Sequence, residues 1–382
     1  MEINRKKVLL VCDSSGTLLD FRGKLIEDLL VHNDVYVFSP KITQPEIRER
    51  LISMGVRVYE NDLRSSNVSI LSDLKYIKDL FRIIKLIKPD VFFPYAFKPV
   101  IYGSLVANFC GIRRITPMLT GLGYNFSNDS GKNGLVSKIT KILLKLSLRP
   151  NRRFRVIFQN YDDCEKLIST GIINKKHQCY VVNGSGVDLS HYDYTEPRVD
   201  HLSFLMISRL INAKGINEYF EAARLIRQKF PETTFKLIGS FDDNIDAIDQ
   251  NLYKKICSGE TIQYLGPVTD VRPYIRDSSI VVLPSYYGEG VPRCILEGMA
   301  MGRAIITSNS VGCKETINVA STELNGFLVP VKNARALASR MEYFIKNTKD
   351  IISFGINGRK FAKEKFDVNL INSQMLHIIQ GA

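Results

Sequence analysis

Two cations, Arg209 and Lys214, and the carboxylates Glu289 and Glu297 are the side chains whose types and spacing could do chemistry in this chain of 382 residues. Arg209 follows the apolar run Phe204 to Ser208, and Lys214 stands five residues on, before Gly215. A planar guanidinium and an ammonium point charge placed in this way can bracket a diphosphate. Glu289 and Glu297 are eight apart and flank a turn that carries Gly290 and Pro292. The run Ile280 to Pro284 ahead of that turn reads as a buried parallel strand and the residues around Glu297 as a helix, so Glu289 falls in the loop at the helix mouth. First-turn N–H groups point outward there, and carboxylates accept paired sugar hydroxyls; the pattern suits a polyhydroxylated, anionic ligand. Taken alone, the glutamates equally fit a helix-start acid and a surface acid, and the cations ordinary surface charge. A further turn, Val311-Gly-Cys-Lys-Glu315, brings another acid, and Asn325-Gly326-Phe-Leu-Val is a tight turn into a strand.

Such side chains need a scaffold that sets strand ends side by side. Apolar runs of strand length alternate with amphipathic stretches in the first half: Val8 to Cys12, Val35 to Ser39, Val56 to Tyr59, Val91 to Tyr95, Ile115 to Leu119 and Val156 to Gln159, with helices at Gln44 to Met54 and Leu71 to Lys88. The series restarts with Phe204 to Ser208, Phe235 to Gly239, Ile262 to Leu265, Ile280 to Pro284, Ala304 to Ser308 and Phe327 to Pro330, with helices at Ile216 to Lys229 and Ala334 to Asn347. This alternation predicts doubly wound parallel sheets, whose ligands sit outside the carboxyl ends of the strands. The length suits two domains of roughly 150 to 200 residues. Asn-Gly-Ser-Gly within Val182 to Asp188 predicts a hinge, which divides the chain into domains 1–182 and 183–360. A final segment, 361–382, contains the helical stretch Asn369 to Ile379 and is expected to pack back on the first domain.

Seven scattered cysteines, never in a C-x-x-C pair, predict free thiols in a reducing cytosol. The five histidines show no ligand spacing, so no metal site is expected. No basic-then-apolar leader and no run of 18 apolar residues is present, and neither an export signal nor a membrane span is expected. Net charge is +13, and residues 1–180 hold nearly all of it, with 29 Lys and Arg against 17 Asp and Glu. The first half is therefore expected to meet an anionic partner: a membrane surface, nucleic acid or a phosphorylated substrate. Leu135 to Leu148 sets Leu135, Val136, Ile139, Ile142, Leu143 and Leu146 in an apolar stripe, with Lys138, Lys141 and Lys145 on another face. Arg149, Arg152, Arg153 and Arg155 follow, and no acid lies between Lys132 and Arg155. A helix of this kind packs its stripe on its own core or lies on an anionic membrane.

Taken together, the chain resembles the retaining GT-B glycosyltransferases of family 4, where an Arg…Lys-Gly pair, an E-x7-E motif, a Gly-x-x-Glu turn and an Asn-Gly-x-Leu-Val strand occur in this order. The first half is similar to a narrower group, the bacterial enzymes that extend polyprenyl-diphosphate-linked sugars in surface polysaccharide and glycan assembly. Lys98-Pro99-Val-Ile-Tyr102-Gly103, Gly121-Leu122-Gly123-Tyr124-Asn125-Phe126 and Phe158-Gln159-Asn160 carry that likeness. The resemblance implies an α/β GT-B fold, two doubly wound Rossmann-like domains facing across a cleft. It implies transfer, without a cofactor or metal, of a hexose or N-acetylhexosamine from a nucleotide sugar, taken as a UDP-sugar, to a lipid-linked saccharide. Arg209 and Lys214 would hold the donor diphosphate, Glu289 the donor sugar and Glu297 the ribose, with Gly290, Val291, Pro292 and Glu315 also on the nucleotide-sugar side. Ser14, Ser15, Gly16, Lys98, Gly121 and Gly123 would face the acceptor. Lys138, Lys141, Lys145, Arg149, Arg152 and Arg153 would face the membrane, giving a cytoplasmic protein peripheral on the inner face. Val311 stands where many members carry glycine, Gly298 where alanine is common, and the first loop lacks a glycine pair. Two other classes fit parts of the sequence: a sugar-nucleotide epimerase of the same architecture, and a basic nucleic-acid binder. The second lacks interleaved aromatics in its basic stretch and any nucleic-acid motif.

Overall fold

The computed structural model describes residues 5–16, 18–63, 70–126, 134–241 and 246–381. It divides into two compact units, Met1–Ser185 with Asn369–Ala382, and Gly186–Val368. The first unit holds β1 (Lys6–Val11), β2 (Asn33–Pro40), β3 (Arg57–Asn61), β4 (Val91–Pro94) and β5 (Arg114–Ile115) in one parallel sheet of order β3-β2-β1-β4-β5. Val8, Leu9, Leu10 and Val11 are fully buried because both faces of β1 are covered, which explains the unbroken apolar run. Helix Ile70–Ile87 lays Tyr76, Leu80, Ile84 and Ile87 on one face of the sheet. Helix Val368–Gln380 packs Ile371, Met375, Ile378 and Ile379 against the other face, in a cluster with Val8 and Leu10.

One predicted strand is two. Ile115 to Leu119 is interrupted at Thr116-Pro117, where the Thr116 N–H still donates to Phe92 O in the first sheet while Pro117 O accepts from Ile157 N. Proline has no N–H to continue the first ladder, and the chain passes to a second, three-stranded sheet there. That sheet is β6 (Met118–Leu119), β7 (Val156–Phe158) and β8 (Cys179–Val181), all parallel. No apolar run announces β8, because its three residues are only half-buried.

The second unit is one parallel sheet of order β11-β10-β9-β12-β13-β14, built from β9 (Ser203–Ile207), β10 (Thr234–Ile238), β11 (Gln263–Tyr264), β12 (Ile280–Leu283), β13 (Ala304–Ser308) and β14 (Gly326–Val329). The strand order reverses between β1 and β4 in the first unit and between β9 and β12 in the second. At such a switch point neighbouring loops diverge and leave a crevice. Gly215, at φ +79°, lets the loop after β9 lie against the end of β12, where an added Cβ would collide with the Pro284 carbonyl oxygen. Gly215→Ala combines left-handed strain with that overlap, at a cost of about 1–3 kcal/mol. A lowering of the melting temperature by roughly 2 °C or more is expected by calorimetry.

Candidate active site

The loops after β9 and β12 bring Lys214 and Glu289 together. Lys214 Nζ donates to Glu289 Oε1, Ser285 Oγ donates to the same oxygen at 2.9 Å, and the side chains of the pair are 14% and 12% exposed. Burial alone would lower the Lys214 pKa, but the adjacent Glu289 carboxylate outweighs it and holds the ammonium above its usual range. The Tyr287 ring carries both cations, with Lys214 Nζ 5.1 Å and Arg209 Cζ 5.9 Å from its centroid. Arg209 is exposed. The Tyr286 N–H donates to Ala213 O at 2.8 Å, so the two loops are tied through backbone as well. The Gly-x-x-Glu turn closes the third side: Gly312, at φ +77°, lies where a Cβ would collide with the carbonyl oxygens of Glu289 and Gly290. The position of Val311, one residue earlier, makes no such demand on φ.

Glu297 lies on helix Arg293–Ala300, capped by Pro292 after the buried Val291. Its Oε1 accepts from Tyr192 Oη at 3.0 Å and from Arg293 Nε and Nη2 at 3.1 and 3.0 Å. Two residues thus fix the carboxylate; burial would depress the Arg293 pKa, and Glu297, helped by Tyr192, more than restores it. Gly298, one residue on, turns a bare Cα to Val281, and a Cβ there would come within 2.8 Å of Val281 Cγ2, which accounts for glycine in place of alanine. Glu315 Oε2 accepts from Lys365 Nζ at 3.1 Å. Among the described residues no three His, Cys, Asp or Glu side chains gather as a metal-binding group.

In the first unit, the expected acceptor residues lie on loops at the carboxyl end of the sheet. Ser15 Oγ donates to Lys41 O at 3.0 Å, Ser14 is exposed, and Gly16 faces open space. Lys98 follows β4 and is engaged by Asp73 at 2.8 Å, the same carboxylate that accepts from Tyr102 Oη at 2.8 Å. Gly121 and Gly123 both take positive φ, and Leu122 between them is buried. Asn160 caps helix Tyr161–Ser169 by accepting from Asp163 N, and burial pushes the Asp163 carboxyl up to about 7. Of the quoted motif residues, the side chains of Tyr124 and Asn125 lie outside the described set.

Helix Gly134–Ser147 buries Leu144 and Ser147, with Leu148 just beyond it, and leaves Ile139, Ile142 and Leu146 exposed at 48%, 60% and 39%. Lys138, Lys145, Arg149 and Arg152 are exposed around that stripe. Lys141 and Arg153 depart from the expected surface charges: both are half-buried, and the Lys141 ammonium lies 5.3 Å from the Phe126 ring centroid. Leu143 is half-buried as well, while Lys132 and the side chains of Leu135 and Val136 lie outside the described residues. Neighbouring helix Ser104–Phe109 adds exposed Leu105 and Phe109. No helix among the described residues is long and apolar enough to cross a membrane.

Sequence reasoning missed the partners that hold these groups. Arg293 stands at i−4 from Glu297, a spacing the sequence does display. Tyr287 lies two residues before Glu289, inside the stretch read as chemically active, and was not assigned a role. Tyr192 and Lys365 meet their carboxylates from 105 and 50 residues away, which no local pattern encodes.

Two Rossmann-like units, one of them with a cation pair and glutamates at its switch point, define the GT-B class of fold. Residues 7–160 match the model of the family described as Glycosyl transferase 4-like, and residues 201–347 match Glycosyl transferases group 1; the chain belongs to these glycosyltransferases. The matches decide for a transferase over the epimerase reading. The chain is 26% identical over 379 residues, 96% of each protein, to the N,N'-diacetylbacillosaminyl-diphospho-undecaprenol alpha-1,3-N-acetylgalactosaminyltransferase of Campylobacter jejuni. It is 25% identical to the UDP-Gal:alpha-D-GlcNAc-diphosphoundecaprenol alpha-1,3-galactosyltransferase of Escherichia coli, over 73% of this chain and 72% of that one. Among solved structures, Anabaena HepE in complex with UDP and glucose superposes with a TM-score of 0.75 at 18% identity, over 99% of this chain and 100% of that one.

Proposed function

We propose that this glycosyltransferase moves a hexose or N-acetylhexosamine from a UDP-sugar to a saccharide carried on polyprenyl diphosphate, with retention at the anomeric carbon and without a metal, at the inner face of the cell membrane. The observation that carries the reading is the pair Arg209 and Lys214 over one tyrosine ring, with Glu289 in reach of the same lysine. The acceptor class is supported by the two relatives whose names specify undecaprenol diphosphate substrates, and the location by the exposed stripe among cations on helix Gly134–Ser147.

In the reaction the bond between the sugar anomeric carbon and the terminal phosphate oxygen breaks, and negative charge collects on the leaving diphosphate. Arg209 and Lys214 receive that charge, the fork binding two oxygens and the ammonium acting as a point charge. The acceptor hydroxyl oxygen bonds the anomeric carbon from the same face, and its proton passes to an oxygen of the departing phosphate. Glu289 accepts hydroxyls of the donor sugar, and the carboxylate of Glu297, set by Arg293 and Tyr192, accepts the ribose hydroxyls.

A panel of nucleotides and nucleotide sugars scored by thermal protection tests the donor, because a ligand bound only by the folded state stabilises by mass action. UDP and a UDP-sugar are expected to protect; protection by none of the uridine nucleotides would overturn the reading. Retention requires an α-linked product from an α-linked donor, which the anomeric proton reports by NMR, and a β product would contradict it. A ribose contact is made equally in ground and transition states, so Glu297→Ala is expected to raise the UDP dissociation constant roughly 10-fold while changing kcat at saturating donor by less than about threefold. Calorimetric titration and initial rates measure the two; unchanged UDP affinity would remove Glu297 from the nucleotide site.

A further inference from the structure

The lysine assigned to the diphosphate already has an anion. Lys214 donates to Glu289 Oε1, and the single Ser285 Oγ–H reaches the same oxygen, at 2.9 Å, with Ala213 O a longer alternative acceptor at 3.2 Å. Ser285 is fully buried and lies on the same loop as Glu289, so it holds the largely buried carboxylate in place opposite Lys214. A carboxylate withdrawn from water must be met by donors, and if Lys214 leaves it, other donors have to replace the ammonium. A sugar brings hydroxyls that can do so; a bare diphosphate brings only further negative charge.

We propose that Glu289 is a built-in competitor of the diphosphate for Lys214, displaced by sugar hydroxyls, so that the site holds an intact sugar nucleotide in preference to the bare nucleoside diphosphate and sheds the latter after transfer. The proposal rests on the reading in which Arg209 and Lys214 hold the diphosphate. When donor binds, Lys214 turns to phosphate and the sugar hydroxyls take its place at Glu289. Once the sugar has left with the acceptor, Glu289 has lost those donors and draws Lys214 back. The nucleotide then keeps Arg209, which is exposed to water and screening ions, and loses the better-shielded of its two cations. Specificity thus comes from a group that disfavours the product as well as one that favours the donor.

Titration calorimetry of the full chain with UDP tests this, using Glu289→Gln, Glu289→Ala, Lys214→Ala and the double variant Lys214→Ala with Glu289→Gln. Each Glu289 variant that keeps the wild-type far-UV spectrum is expected to bind UDP at least about fivefold more tightly than wild type. The gain should vanish when Lys214 is alanine, because the two groups act as one coupled pair. Unchanged or weaker UDP binding in a folded Glu289 variant overturns the proposal. Lys214→Ala alone is expected to weaken UDP at least about 10-fold; if it does not, the diphosphate assignment itself fails, a result separate from the behaviour of Glu289.

Discussion

Replacing Arg209 by alanine is expected to slow sugar transfer by about 10²-fold or more, in line with the loss of one stabiliser of a developing oxyanion. The effect should fall on the chemical step, because charge on the diphosphate grows as the glycosidic bond breaks and an exposed guanidinium contributes least while the donor is intact. Arg209→Lys is expected to recover only part of the rate. It restores the charge, but not the planar fork or its stacking on Tyr287. Single-turnover rates with labelled donor separate this from weakened binding. A rate within threefold of wild type would take Arg209 out of the mechanism.

The second large effect is expected at the membrane. Lys138, Lys145 and Arg149 are exposed beside Ile139, Ile142 and Leu146, and each cation near an anionic surface contributes on the order of 1 kcal/mol. Reversing all three to glutamate should therefore lower partitioning onto phosphatidylserine vesicles by about 10²-fold or more, with the apolar stripe alone too weak to hold the protein. Transfer to a long-chain lipid acceptor should slow in step, while UDP affinity and transfer to a short soluble analogue stay near wild type. Lys141 is left in place because it packs on Phe126, and its loss would confuse docking with folding. Wild-type protein that fails to sediment with anionic vesicles at low salt would remove the membrane from the account.

Strands β9 and β12 of the second unit were legible because both are buried and so spell out unbroken apolar runs, Phe204 to Ile207 and Ile280 to Leu283. The helix over Ile216–Lys229 was legible for a related reason: one covered face writes a 3.6-residue period into the sequence. What the sequence hid is the rest of the hydrogen-bonded surroundings. Short β8 carries no pattern at three half-buried residues, and the break at Thr116-Pro117 shows only when one asks which sheet each amide serves. In the candidate site, the cations and glutamates could be picked out by type and spacing. Their distant partners could not, since Lys214 finds Glu289, Glu297 finds Tyr192 and Glu315 finds Lys365 across 50 to 105 residues.

Helix Val368–Gln380 also fixes an order of events in synthesis. Ile371, Met375, Ile378 and Ile379 complete a core begun by Val8 and Leu10, and the 183 residues of the second unit lie between. At about 5–20 residues per second, a ribosome needs roughly 10 to 40 s to make that insert. Throughout this interval the second unit can fold as one contiguous piece, while the nascent first unit has helix Leu18–Leu30 on that face of its sheet but still lacks the last helix that completes it. The first half of the chain is thus translated first and finished last, and the part of its core that Ile371, Met375, Ile378 and Ile379 complete stays open until the end.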